Sequence, residues 1–314
     1  MLTRRHIRIK VLQTIYAFDK AEIDELKKSE KFLVYSMEQM RDLHLVMLGL
    51  LVNLRAYAEV QLEKRKKKHL VTQEDLNPNT RFIDNKVLVL LKDNAALNNL
   101  IAERKLDFWQ LDDEYISLLH KEVLASEIFE QYMNGAEPDF KADKDFVIQL
   151  YKQIIAPNDK LYDYFEDKRL TWLDDYPVVN TGIVKLLNQM GPNPSDGKLM
   201  PPAFKNKEDL DFGVDLFRKV VLHDEKYTKD IIGKTPNWDK DRIADLDMIM
   251  IKMGIAEFLH FPSIPVKVTI NEYLEIAKEY STPKSSIFIN GILDKLVQQY
   301  RDNDSLNKIG RGLR

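Results

Sequence analysis

The first eighteen residues contain side chains that could bind an anion. They include five basic residues and no acidic one, in the order Arg4, Arg5, His6, Arg8 and Lys10. On a helix, Arg4 and Arg8 lie one turn apart and Arg5 lies beside them. Such a cationic face suits phosphate contacts, whose contribution to affinity falls as the salt concentration rises. A solvated helix end is the competing interpretation, because charge clusters commonly do no more than face water.

The remaining polar residues do not form a recognisable catalytic pattern. The six histidines are scattered without metal-ligand spacing, and the chain has no cysteine. The loop from Gly191 to Gly197 has five residues between its glycines, where a phosphate-binding loop has four, and Leu199 stands where that loop needs Ser or Thr. We therefore predict a plain turn there, and the pattern of polar residues does not indicate a catalytic centre.

Length, charge and hydropathy limit the class of protein to which this basic face can belong. The chain has 314 residues, which favours about two domains, and 47 basic against 50 acidic residues, which argues against a globally basic nucleic-acid binder. The most apolar run, 43–54, is shorter than the ~20 residues of a membrane helix, so we predict a buried core helix. The first residues lack the apolar stretch of a signal peptide, and we expect a cytoplasmic protein without membrane contact.

Helical periodicity dominates the pattern of apolar residues and predicts an all-α protein. Thr3 is placed to cap a first helix. Residues 29–69 predict either one long helix or two helices with a break near Gly49, and the run 64–68 is basic at its end. Further helices are expected at 113–133 and 145–156, and then at 208–223, 239–260, 270–280 and 285–301.

Two features of the last hundred residues predict local structure. Thr269 and Glu272 have the spacing of a capping box, which predicts that a helix starts there. Gly291 lies inside an amphipathic helical pattern, where glycine costs about 1 kcal/mol relative to alanine. We therefore expect another helix or a ligand to approach the backbone closely at Gly291.

A weak repeat links two parts of the chain. A shift of 66 places aligns Asp145-Phe146 with Asp211-Phe212, and it also aligns Trp172 with Trp238. All three tryptophans, including Trp109, begin the phrase Trp-x-x-Asp. A recurring way of starting a helix and a true partial duplication both remain open as explanations.

Three sequence blocks together resemble the NusB family of bacterial transcription antitermination factors. The first is the arginine-rich start followed by Gln13-Thr-Ile-Tyr16. The second contains Trp238, Arg242, Asp247 and Glu257. The third runs from Pro265 through Asn271-Glu272 and Ala277-Lys278 to the segment Phe288-Ile-Asn290-Gly291-Ile-Leu-Asp294.

The resemblance implies two helical bundles of NusB-like type with an additional helical insertion. It implies binding to single-stranded boxA-type RNA of ribosomal RNA leaders together with NusE, a ribosomal small-subunit protein, in an RNA polymerase antitermination complex. It also implies a protein that is not an enzyme and needs no metal or cofactor. By matched position, the RNA contacts would be Arg4, Arg5, Arg8, Lys278, Phe288 and Asn290. Tyr16 and Asp247 fall where the family meets NusE.

The sequence also departs from the family. His6 stands where an arginine is common, and residues 62–207 have no counterpart in compact members. We expect NusB-like helices at 1–61 and 208–302, a helical insertion at 62–207 for which a partial duplication is one explanation, and a flexible basic tail at 303–314. The alternatives are a helical scaffold that binds only protein, and a module related to RNA methyltransferases. This sequence lacks the cysteines and the glycine-rich cofactor loop that the second alternative would need.

Overall fold

A computed structural model describes residues 3–21, 25–67, 72–193, 207–234 and 243–313, with the side chain of residue 74 excepted. The described residues are helical and contain no strand, which confirms the predicted all-α class. In chain order, the helices are α1 (Arg4–Lys20), α2 (Leu26–Lys66), α3 (Gln73–Leu76), α4 (Lys86–Lys92), α5 (Ala95–Glu103), α6 (Phe108–Leu111), α7 (Asp113–Leu124), α8 (Glu127–Asn134), α9 (Phe140–Leu150), α10 (Asp159–Lys168), α11 (Tyr176–Gln189), α12 (Lys207–Leu222), α13 (Asp224–Ile232), α14 (Asp245–His260), α15 (Val266–Tyr280) and α16 (Ser285–Asp302). A π-helical turn (Tyr151–Ile155) and two 3₁₀ turns (Leu170–Trp172 and Gly310–Leu313) complete them.

The chain divides into two compact units. We call Leu2–Met37 together with Phe204–Arg314 the core unit, and Glu38–Ala203 the inserted unit. The first division lies within the uninterrupted helix α2, whereas the sequence predicts a boundary at residue 61. The second division lies close to the predicted boundary at 207. The helix α2 is continuous through Gly49, so the long-helix alternative is the observed one.

The helix α2 also carries the apolar run. Among the described helices it is long and apolar enough to cross a membrane, and 67% of its most apolar window is buried inside the protein. That burial is what the sequence predicts for a core helix, since a core helix passes the same length and composition test.

In the inserted unit, two of the tryptophans bind the backbone of α2. The indole nitrogen of Trp109 donates to the carbonyl oxygen of Val46 at 2.8 Å, and that of Trp172 donates to the carbonyl oxygen of Gln39 at 2.9 Å. Both acceptors lie on one face of α2, because they are two helical turns apart. Between them, the buried carboxylate of Asp42 pairs with Arg104 and Arg169. These bonds fix the shorter helices of this unit to α2.

The two segments that the shift of 66 places aligns contain helices of similar length in the same order. When 66 is added to the bounds of α9 with its π turn, of α10 and of α11, each result falls within five residues of the bounds of α12, α13 and α14. Aligned apolar positions are buried in both segments, as in the pairs Phe146/Phe212 and Ile183/Ile249. This agreement is what a partial duplication predicts. Trp238, the third tryptophan, lies outside the described residues.

In the core unit, α14 is the central helix, with residues 247–258 all buried. The helix α1 packs on α12, α14 and α15. Thr3 caps α1 as predicted, through a capping box in which Thr3 Oγ1 accepts from the His6 amide and His6 Nδ1 accepts from the Thr3 amide.

Two predictions for the last hundred residues differ from the structure: the helix start at Thr269 is wrong, and no described helix approaches the backbone of Gly291. The helix α15 starts at Val266 after Pro265, so Thr269 lies inside the helix, where its buried hydroxyl donates to Glu257 Oε2 at 3.0 Å. Gly291 is exposed, and a Cβ built on it would meet nothing within 4 Å. The close approach occurs instead at Gly254 on α14, where a Cβ would lie 2.8 Å from Leu293 Cδ2.

The segment 303–313, for which the sequence predicts a flexible tail, forms hydrogen bonds with the core unit. Its main chain begins with bonds from the amides of Ser305 and Leu306 to the carbonyl oxygen of Tyr300. Further on, Lys308 Nζ donates to the carbonyl oxygens of Glu257 and Phe261, each at 3.0 Å. The two bonds of the Lys308 ammonium group to main-chain carbonyl oxygens therefore attach the segment to the core unit.

Candidate nucleic-acid interface

The start of α1 lines a groove of about 790 Å³ in the core unit. The turn between α14 and α15 forms another wall, and Glu272 and Arg311 complete the lining. Three of the six predicted RNA contacts, Arg4, Arg5 and Arg8, line this groove, whereas Lys278, Phe288 and Asn290 do not.

Arg8 differs from its predicted role because it is not accessible. Its side chain is 2% exposed and forms a two-point ion pair with Glu257, with Nε–Oε1 at 2.6 Å and Nη2–Oε2 at 2.8 Å. Burial alone would lower the pKa of Arg8, but the charge and hydrogen bonds of Glu257 raise it above the ordinary arginine value. Arg8 is therefore a permanently charged element of the interior and does not present itself to a ligand.

The carboxylate of Glu257 accepts hydrogen bonds from three side chains. Tyr273 donates its hydroxyl to Oε1 at 2.7 Å and Thr269 donates to Oε2, in addition to the two bonds from Arg8. Burial, followed by the charge of Glu257, raises the pKa of Tyr273 well above its usual range, so this hydroxyl keeps its proton. The network holds α1 against α14 and α15, and so it positions the neighbouring arginines.

Arg4 and Arg5 are the accessible members of the cluster, with side chains that are 40% and 36% exposed. Arg4 Nε donates to Asp209 Oδ1 at 3.1 Å, and its guanidinium lies 5.0 Å from the ring centre of Phe212. Arg5 forms a two-point pair with Glu272 at 3.0 and 3.1 Å. Both guanidinium groups are pre-oriented at the groove while part of each remains open to solvent.

His6 lines the same groove, and its surroundings disfavour a positive charge on its ring. Burial lowers its pKa below the ordinary value of 6.5, and the nearby charges of Arg5 and Lys10 act in the same direction. Its Nδ1 also accepts the Thr3 amide hydrogen, a bond that only the neutral ring can make at that atom.

A line of charges on α15 leads away from Arg5. The charges of Glu272, Glu275 and Glu279 all act on Arg5, and Lys278 Nζ pairs with Glu275 Oε1 at 2.6 Å. Lys278 is exposed on the same helix, outside the groove lining. Asn290 on α16 is half-buried, and its amide donates to Asp294 Oδ2 at 3.2 Å; Phe288 is also half-buried and has partners within the protein.

The two residues predicted to meet a protein partner differ in accessibility. Tyr16 on α1 is exposed, and the ammonium group of Lys20 lies 5.7 Å from its ring centre. Asp247 is 5% exposed and accepts the hydroxyl hydrogen of Ser281 at 2.6 Å, which links the start of α14 to the end of α15. In this structure Asp247 has a structural bond in place of a free carboxylate.

Sequence reasoning missed Arg311 altogether. The signal that could have found it is the phrase Gly310-Arg311-Gly312, because two glycines around one arginine suggest a backbone that only glycine permits.

The described ranges contain no candidate metal site, since no cluster of three or more His, Asp or Glu side chains able to hold an ion occurs in them.

Comparison with known proteins places this fold in a defined class. The sequence profile of the NusB family matches residues 183–298, which include the end of α11, all of α12 to α15, and α16 as far as residue 298. The "Transcription antitermination protein NusB" of Salinibacter ruber is 38% identical over 112 residues, covering 36% of this chain and 70% of the relative. The protein of the same name from Finegoldia magna is 41% identical over 105 residues, covering 32% and 73%. That of Chloroherpeton thalassium is 40% identical over 103 residues, covering 33% and 49%.

The chain belongs to the NusB family. The relatives account for about a third of it, and the profile does not extend to α1, so the arginine cluster lies outside the matched segment. Packing within the core unit brings α1 to that segment. No solved structure matches the chain.

Proposed function

We propose that this protein is a transcription antitermination factor that binds boxA-type RNA together with NusE and acts within an RNA polymerase complex. It would work in the cytoplasm by binding alone, without catalysing a reaction. The observation that supports this proposal is the groove of the core unit, where Arg4 and Arg5 are held by ion pairs beside helices of the family-matched segment. Carboxylate-oriented guanidinium groups that remain partly exposed are suited to phosphate contacts.

The roles of the other residues follow from their accessibility. Lys278 supplies a further phosphate contact at the edge of α15, and Asn290 offers an amide for hydrogen bonding to a base. Phe288 contributes a face for an unpaired base, a common way of recognising single-stranded RNA. Arg8 supports the site from inside by fixing α1 through Glu257.

For NusE, we propose that the exposed Tyr16 contributes to the contact surface directly. Asp247 takes part indirectly, because its bond to Ser281 holds the start of α14 against the end of α15. A ring that is amphipathic and accessible is a frequent anchor in protein interfaces.

The test is fluorescence anisotropy of a labelled boxA RNA, with and without NusE, at several salt concentrations. We expect NusE to tighten binding. We also expect Arg5→Ala to weaken RNA binding several-fold and to reduce the slope of log K against log salt by about 0.7, the value for one phosphate of a single strand. Arg218→Ala is the matched control, since Arg218 forms a comparable exposed two-point pair with Glu30 in the same unit. Absence of RNA binding by the wild type would contradict the proposal and favour a protein-only scaffold.

A further inference from the structure

We propose that the 3₁₀ turn Gly310–Leu313 is built to deliver Arg311 to the groove as an additional contact for an RNA phosphate. Arg311 lines the groove together with Arg4 and Arg5, although it lies beyond the segment that the family profile matches. This inference rests on the proposed function, because it assigns a new residue to the same RNA-binding site.

The two glycines of the turn are both required by its geometry. Gly310 has a φ of +52°, a left-handed conformation that strains residues with a side chain. A Cβ on Gly312 would overlap the carbonyl oxygen of Pro262, so the chain can pass there only as glycine. The residue between them, Arg311, is exposed. A backbone with such demands at two positions fixes where the intervening side chain emerges.

The segment leading into the turn is anchored to the end of α14. Lys308 Nζ donates to the carbonyl oxygens of Glu257 and Phe261, and the Ile309 amide donates to the carbonyl oxygen of Pro262 at 3.1 Å. A cation at the C-terminal end of a helix is also favoured by the helix dipole. Burial lowers the pKa of Lys308 to about 8, which is consistent with an ammonium group drawn out of solvent by its anchoring role.

Charge balance distinguishes Arg311 from the arginines of α1. Arg4 pairs with Asp209, Arg5 with Glu272 and Arg8 with Glu257, so the charge of each is compensated by a carboxylate. No such pair occurs for Arg311 among the residues that the structure describes. Glu272 is the acidic residue of the groove lining, and it is occupied by Arg5 with Arg8 nearby. Among the described residues, Arg311 is therefore the groove arginine whose charge is balanced by no carboxylate, whereas Arg4 and Arg5 would contact phosphates with the part of each guanidinium group that stays exposed.

An arginine that is exposed, positioned and uncompensated matches a phosphodiester ligand better than an apolar one. An RNA strand held by Arg4 and Arg5 would present further phosphates along the groove, since each nucleotide adds one. Guanidinium groups bind phosphate oxygens through two parallel hydrogen bonds. We therefore expect Arg311 to contribute to affinity without contributing to sequence preference.

The experiment compares four variants with the wild type, using the fluorescein-labelled boxA RNA and a scrambled strand of equal length. We expect Arg311→Ala to weaken binding of both strands by about three- to tenfold and to lower the salt slope by about 0.7. Gly312→Ala keeps the arginine but displaces the turn, and we expect a similar loss. Arg301→Ala, an exposed arginine of α16 outside the groove lining, is the matched control and should bind as the wild type does.

Arg5→Ala separates the two proposals. If Arg5→Ala weakens binding while Arg311→Ala binds like the wild type, the inference about the turn is overturned and the proposed function stands. If the wild type binds neither strand, the function fails and this inference fails with it. Thermal melting by circular dichroism checks that Gly312→Ala remains folded; if it does not, the surface variant Arg311→Ala decides alone.

Discussion

At the residue scale, the three arginines of α1 differ in what their charge does. Arg4 and Arg5 are partly exposed and paired at the edge of a groove, whereas Arg8 is enclosed with Glu257, Tyr273 and Thr269. Removing one partner of a buried ion pair leaves the other charge uncompensated, which costs about 3–5 kcal/mol. Stability and ligand binding should therefore separate along one helix face.

We predict that Arg8→Met lowers the free energy of unfolding by about 3–5 kcal/mol and weakens RNA binding by the folded protein less than Arg5→Ala does, because Arg8 acts on the groove only by positioning α1. Urea denaturation followed by circular dichroism measures the first quantity, and anisotropy below the transition measures the second. The double variant Arg8→Met/Glu257→Leu should recover much of the lost stability, because no charge is then left unpaired. An Arg8→Met protein that is fully stable but unable to bind RNA would show that Arg8 is a ligand contact after all.

At the residue scale, a contact between residues close in the chain could be predicted from the sequence, whereas a contact between distant residues could not. The cap at Thr3 involves His6, three residues away, and it could be predicted from residue type and spacing. The partner of Arg8 lies 249 residues away, and nothing in the local pattern distinguishes Arg8 from Arg4. Helical spacing places both residues on one face, but only packing decides which of them is enclosed.

At the element scale, α2 organises the inserted unit through its backbone as well as its side chains. Trp109 and Trp172 donate to its carbonyl oxygens, and Arg104 and Arg169 converge on Asp42 between those two positions. Carbonyl oxygens inside a helix are usually satisfied by the helix itself, so these are second acceptor bonds that depend on exact placement of the indole rings. Asp42 is therefore the electrostatic centre of this arrangement.

We predict that Asp42→Ala destabilises the inserted unit by about 1–3 kcal/mol, less than a fully enclosed pair because both arginines are partly exposed. Trp109 and Trp172 lie beside the altered position, so the midpoint of urea unfolding followed by tryptophan fluorescence should fall. Glu38→Ala is the control: Glu38 approaches the same Arg104 only at 3.8 Å from the surface, and its loss should cost under about 0.5 kcal/mol. Equal midpoints for Asp42→Ala and wild type would contradict this account of α2.

The start of α15 shows why element boundaries were harder to predict than elements. The Thr269–Glu272 spacing fits a capping box, but Pro265 starts the helix one turn earlier, and both side chains serve other partners. Thr269 binds the buried Glu257 and Glu272 binds Arg5. Tertiary contacts thus took up the groups that local rules assigned to a cap. The expected helix contact at Gly291 does not occur among the described residues for a related reason: periodicity alone does not show which helix faces are covered.

At the scale of the whole molecule, the family match lies mostly in the core unit. The profile begins at residue 183, in the last part of the inserted unit, and continues through α12 to α15 and α16 as far as residue 298. The helix α1, outside the match, packs on α12, α14 and α15. The all-α class and the family could be predicted because they depend on periodicity and on a block of matched residues. The extent of the inserted unit could not, since its division from the core unit lies inside an unbroken helix. The placement of Arg311 depends on a main-chain path that the sequence indicates only by two glycines.

The most direct test of the account is to find where RNA touches the protein. Ultraviolet cross-linking of boxA RNA to the full chain in the presence of NusE, followed by mass spectrometry of the linked peptides, gives that position. We predict cross-links in the core unit, at the start of α1, along α15 and α16, and in the segment containing Arg311. Cross-links confined to residues 38–203 would contradict the account, because they would place the RNA on the inserted unit.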